Sequence, residues 1–118
     1  MYFYCMAPEE LYTDVLHFFE DIQKYYGSKT EIIEGICTSS GDFSADFSTW
    51  NLFEFDLIRS AYRRTGDRFM IEGEGMYYEI SATSIVSFLQ PGRNKFEFIE
   101  QLSENVYRIT KLRFHYKY

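Results

Sequence analysis

Two cysteines, two prolines, two histidines and one tryptophan are all this 118-residue chain has of those types. Cys5 and Cys37 show neither metal spacing nor a redox motif, so they read as two thiols of a reducing compartment, bridged only if the fold brings them together. Two scattered histidines and two scattered cysteines make a structural zinc site improbable. No apolar run approaches the length of a membrane span. The opening Met1-Tyr-Phe-Tyr-Cys-Met6 has no basic leader and is too short for a signal peptide, so an edge strand or ordered arm is expected there. The expected location is cytoplasmic.

Catalytic signatures are missing too. Ser39, Ser40, Ser81 and Ser84 stand in turn-like settings without a glycine elbow. Gly73-Glu74-Gly75 puts an acid where a phosphate cradle needs none, and reads as a hairpin turn. Asp42 with Asp46, and Glu72 with Glu74, are carboxylate pairs without a calcium-loop pattern. His17 and Asp21 lie four apart on a helix, which on its own describes a solvated face. No catalytic residue, metal or cofactor is assigned, and the chain is not read as an enzyme.

What is abundant is aromatic. Tyr, Phe and Trp supply 20% of the residues, and hydrophobic residues as a whole 46%. That composition belongs to a folded chain of one domain, residues 1–118. Phe53-Glu54-Phe55, Phe96-Glu97-Phe98 and the run from Leu112 to Tyr118 alternate apolar with polar, the period of half-buried antiparallel strands. Strands are expected near 31–38, 43–49, 68–73, 76–81, 84–90, 96–102 and 106–117, with turns at the intervening Gly, Asp, Asn and Pro clusters. Segment 52–64 alternates like a strand at its start, while Leu57, Ile58, Ala61 and Tyr62 space like a helix.

One helix is expected over about 8–26. Leu11, Val15, Phe18, Phe19, Ile22, Tyr25 and Tyr26 form its apolar stripe. Pro8 suits the first helical position, Glu9 and Glu10 suit the first turn, and Gly27 supplies the left-handed stop. Met6 and Leu11 are placed to form a hydrophobic staple. The fold class is therefore α+β: an amphipathic N-terminal helix packed on a strongly bent antiparallel sheet or small barrel built from about 31–118. Asn51-Leu-Phe-Glu-Phe55 recurs as Asn94-Lys-Phe-Glu-Phe98, and Tyr62-Arg63-Arg64-Thr65 as Tyr107-Arg108-Ile109-Thr110, which suggests a duplicated β-meander, with chance similarity slightly favoured. The stretch from Met76-Tyr-Tyr-Glu-Ile80 through Ser84-Ile-Val-Ser-Phe88 and Lys95-Phe-Glu-Phe-Ile99 to Val106-Tyr-Arg-Ile-Thr110 resembles the first half of a LytTR-type DNA-binding domain. It covers under half the chain and carries no diagnostic motif, so no family is assigned from it.

Charge is divided along the chain. The net charge is −6. Glu9, Glu10, Asp14, Glu20, Asp21, Glu31 and Glu34 face only Lys24 and Lys29 in the first part. From Val106 onward Arg108, Lys111, Arg113 and Lys117 meet no acid, and Arg59, Arg63, Arg64 and Arg68 form a second basic group beside Asp67. Three functions follow as expectations. The first is a small acidic protein-binding module, an inhibitor or immunity-type protein blocking a basic toxin or nucleic-acid enzyme. Asp14, Glu20 and Asp21 would be its contacts, with Glu9 and Glu10 at the rim. The second is a nucleic-acid-binding regulator using Lys111, Arg113, His115 and Lys117, four side chains expected on one face of a solvated edge strand. The third is a small hydrophobic-ligand-binding barrel lined by Phe and Tyr. Exposed aromatics on edge strands also allow a homodimer.

Overall fold

The computed structural model describes residues 8–38 and 48–115, and the side chains from residue 10 onward. An α-helix, α1 (Pro8–Asp21), runs into a 3-10 turn (Ile22–Tyr25). Seven strands follow: β1 (Lys29–Cys37), β2 (Ser48–Arg63), β3 (Arg68–Gly73), β4 (Met76–Ser81), β5 (Ile85–Gly92), β6 (Lys95–Ser103) and β7 (Val106–His115). They form one antiparallel sheet in the order β4-β3-β2-β1-β7-β6-β5. The α+β class holds. The sheet stays open: its edge strands β4 and β5 are joined through a 3-10 turn (Ala82–Ser84) but are not paired with each other.

The helical stripe packs as its spacing predicts. Val15, Phe18, Ile22 and Tyr25 are buried, and Leu11, Leu16 and Phe19 pack against them. Phe18 meets the rings of Phe88, Phe96, Phe98 and Phe114. Phe19 stacks on Phe69, and Tyr25 on Phe114, with ring centroids 4.1 and 4.0 Å apart. Aromatic rings at such distances add to the stabilisation from buried area. Gly27 takes φ +88°, ends the helical segment, and donates its N–H to the Leu57 carbonyl. Tyr26 departs from the stripe. It is exposed, and its hydroxyl donates to the Ser60 carbonyl and accepts from the Ser60 N–H.

Segment 52–64 is strand up to Arg63, not helix. Its register slips between Leu57 and Arg59, where two residues of β2 step past one of β3. Such a bulge reverses which residues face inward. Leu57 and Tyr62 therefore lie on the same side although they are five apart, Leu57 buried and Tyr62 exposed beside Phe69, and that phase change underlies the helix-like spacing. β2 bends there, with Phe55 pressed onto Gly73: a Cβ at Gly73 would come within 2.5 Å of the Phe55 ring. The two FEF-containing blocks are not placed alike. Asn51–Phe55 and Tyr62–Thr65 share β2 and its following turn, whereas Phe96–Phe98 lies on β6 and Tyr107–Thr110 on β7. The expected strand at 43–49 falls mostly outside the described residues, as do Met6 and Cys5; Cys37 is buried.

The sheet is curled on itself. In a flat sheet β4 and β7, four strands apart, would be separated by roughly 19 Å. Instead the Tyr78 hydroxyl on β4 lies 2.7 Å from the Thr110 hydroxyl on β7. The Ser81 N–H donates to Glu100 on β6 at 2.9 Å. Arg108 on β7 binds both Glu100 carboxylate oxygens, at 2.9 and 3.1 Å, donates to the Glu79 carbonyl on β4 at 2.6 Å, and reaches Glu34 on β1 at 3.4 Å. Its guanidinium also sits over the Tyr78 ring. Burial pushes the Glu100 carboxyl above its usual pKa against the pull of Arg108, and burial likewise raises the Tyr78 hydroxyl.

A buried carboxylate deprived of its cation is costly. Arg108→Met is expected to lose about 3–5 kcal/mol of stability in urea unfolding. Combining it with Glu100→Leu should recover most of that loss, because no charge is then buried alone. The sign of the pH dependence follows from the raised Glu100 carboxyl. A group whose folded pKa exceeds its unfolded one contributes stability that fades as pH rises through the folded value, so the single variant should weaken as pH rises above the range in which an ordinary carboxyl ionises. A pH-independent loss, or a double variant no better than the single, would show that the loss does not come from an unpaired buried Glu100 charge.

Candidate functional site

The acids of the helix lie beside an edge of the sheet. Asp14, His17, Asp21 and Lys24 form one wall of an open groove of about 410 Å³. The other wall is β5, represented by Phe88, Leu89 and Gln90, and Phe18, Tyr25 and Phe96 lie at the base. This arrangement follows from helical geometry. Asp14, His17 and Asp21 recur at i, i+3 and i+7 and so share one flank of α1, adjoining the buried position of Phe18. The strand contributes an edge because, among the described residues, its only sheet neighbour is β6. Pro91 lies in β5, a residue suited to an edge because it lacks an N–H.

The expected acidic contacts are thus separated. Asp14 and Asp21 line the groove; Glu20 is exposed and is not among its lining residues. Glu10 is exposed near the helix start, and the Glu9 side chain lies outside the described residues. Leu89, exposed on β5, and the aromatic base were not identified from sequence as site residues. The alternation around Phe88 and Phe96 marked them only as strand residues, and their meeting with Asp14 is a product of chain folding.

The basic strand reads differently in three dimensions. β7 is a central strand between β1 and β6, not the expected edge. Lys111, Arg113 and His115 do share its outer face, as the period of two requires, but acids of neighbouring strands interleave with them. Glu31 pairs with His115 at 3.2 Å and is the cross-strand partner of Arg113. Glu97 is the cross-strand partner of Lys111. Lys117 lies outside the described residues. The second basic group is similarly matched: Arg59 bonds Glu72, and Arg63 lies 3.1 Å from Glu79. The Glu72 carboxylate raises the Arg59 pKa, and a hydrogen bond from Tyr77 lowers that of Glu79. Both changes leave these charges in place at neutral pH.

Among the described residues no three His, Cys, Asp or Glu side chains converge to hold a metal ion, and no helix is long and apolar enough to cross a membrane. The aromatic rings under α1 pack on one another, as a solid core requires. No protein family, curated protein or solved structure matches this chain.

The groove's base and its lip should respond differently to truncation. Phe88 packs on Phe18, Phe96 and Phe98, so Phe88→Ala is expected to cost about 2–4 kcal/mol in urea unfolding. Leu89 is 44% exposed, so Leu89→Ser should stay within about 0.5 kcal/mol of the parent. Equal losses would mean that the groove wall is part of the core.

Proposed function

We propose that this chain is a small protein-binding module of the inhibitor or immunity kind, which blocks a partner by receiving one of its cationic segments in the groove between α1 and β5. The supporting observation is the meeting of Asp14 and Asp21 with an aromatic base and an edge strand in one open groove. Each part has a matching role. The carboxylates attract and orient lysine or arginine side chains. The apolar base takes up alternate apolar side chains, and a strand edge offers backbone groups to an extended segment. A net charge of −6 favours encounter with a basic protein, such as a toxin or a nucleic-acid enzyme. In this reading the chain works by occupying a surface and carries out no reaction.

The alternatives have less support. On the outer face of β7, Glu31 and Glu97 stand among the cations that phosphate contacts would need. A hydrophobic ligand would have to displace the rings that already fill the space beneath the helix.

The test uses a fluorescent peptide alternating Lys or Arg with Leu or Phe, and a counterpart carrying Glu at the charged positions. The basic peptide should bind at low salt, weaken steeply as salt is added, and perturb amide resonances of α1 and β5. Asp14→Lys with Asp21→Lys should reduce its affinity by at least about ten-fold. Equal binding of the acidic peptide, an unaffected double variant, or perturbations confined to β7 would each reject the assignment.

A further inference from the structure

The outer face of β2-β1-β7 has the pattern of a surface that meets its own copy. Its apolar centre is exposed: Ile33 is 38%, Leu52 60% and Trp50 39% accessible. Ile33 on β1 is the cross-strand partner of Leu52 on β2 and of Lys111 on β7. One pair further along, Glu31 is flanked by Glu54 on β2 and Arg113 on β7. Beyond that, Lys29 is flanked by Asp56 and His115. On this face β2 therefore offers acids and a protruding leucine and β7 offers cations, with Lys29 and Glu31 of β1 between them bonded to Glu54 and His115. Beside β7 there is also a hollow of about 220 Å³, lined in part by Ile33, Lys95, Lys111, Arg113 and Pro91.

We propose that this face is a homodimer interface with a two-fold axis running along β1. A half-turn about that axis exchanges the β2 side with the β7 side. It sets Glu54 of one copy opposite Arg113 of the other, and Asp56 opposite His115. The Leu52 side chain enters the hollow beside Lys111 and Arg113 of the second copy, and Ile33 meets its own equivalent on the axis, where Glu31 and Lys29 also lie, each already bonded to a salt-bridge partner of its own chain. Each contact off the axis occurs twice, and a contact on the axis once. Charge selects this occupant over a partner of one sign, since a wholly basic or wholly acidic surface would repel one flank of the patch. The curl centres the contact on these three strands, because the sheet bends away on either side. The α1–β5 groove takes no part, so the two surfaces can be tested separately.

Sedimentation velocity over roughly 1 µM to 1 mM should show a concentration-dependent dimer for the parent chain. Leu52→Glu, Glu54→Arg and Arg113→Glu should each weaken that dimer by at least about ten-fold, with unchanged circular dichroism. The two-fold geometry makes a sharper demand. An equimolar mixture of Glu54→Arg and Arg113→Glu chains should form a heterodimer, since both charged contacts are then between opposite signs, while neither variant self-associates. A parent chain that remains monomeric throughout, or a dimer indifferent to these substitutions, would overturn the proposal. So would a mixture that fails to associate.

Discussion

The curl of the sheet is the constraint on which the rest of the fold depends, and the Arg108 guanidinium lies at its seam. It stands on β7 yet binds β6 through Glu100, β4 through the Glu79 carbonyl, and β1 through Glu34. Strands that the sheet order keeps far apart are held together by one planar group with five donors. The Glu100 carboxylate is fully buried, and its remaining capacity is taken up by the Ser81 N–H. Such a pair is tolerable inside a protein only when its hydrogen bonds are met. Its geometric effect is clear. It bridges the curl from β7 to β4, and the curl makes the concave space that the helix fills.

The remaining architecture follows from that curvature. Bending the sheet points aromatic side chains of β5, β6 and β7 toward a common centre occupied by Phe18. The long β2 strand accommodates the bend with a bulge, and Tyr26 satisfies the nearby Ser60 backbone from outside. The same tight approach explains Gly73, where Phe55 already occupies the place of a side chain. At Gly35 the Trp50 ring lies flat over the backbone, 2.6–2.9 Å from where a Cβ would be. That contact covers a strand glycine with an aromatic ring and leaves part of the indole on the outer face, near Lys111.

Curvature also sorts the charges into two surfaces of different chemistry. The groove beside α1 pairs two carboxylates with aromatic side chains and a strand edge, a combination suited to a cationic segment of another protein. The outer face of β2-β1-β7 carries acids on one flank, cations on the other and apolar side chains between them. That combination suits a copy of the same chain. A half-turn brings unlike charges together only when they lie on opposite sides of the axis, which the proposed dimer sets along β1.

The sequence by itself determined the elements set by unbroken local periodicity; β2, interrupted by its bulge, stays open between strand and helix over 52–64. The stripe from Leu11 to Tyr25 defines the helix, and alternation around Phe69, Tyr78, Phe96 and Leu112 defines strands within a residue or two of their ends. Gly27, with no Cβ to oppose a positive φ, marked the end of the helical segment. The acids Asp14 and Asp21 were legible as a charged face, but the aromatic base and edge strand beside them were not. Tertiary structure alone decided strand order, curl and the company each charge keeps. β7 became a central strand, and Glu31 and Glu97 came to stand among its cations from strands far away in sequence. Spacing along one chain records which way a side chain points within its own element. It carries no record of which strand will lie alongside, and long-range pairing and the burial of Arg108 with Glu100 settled that.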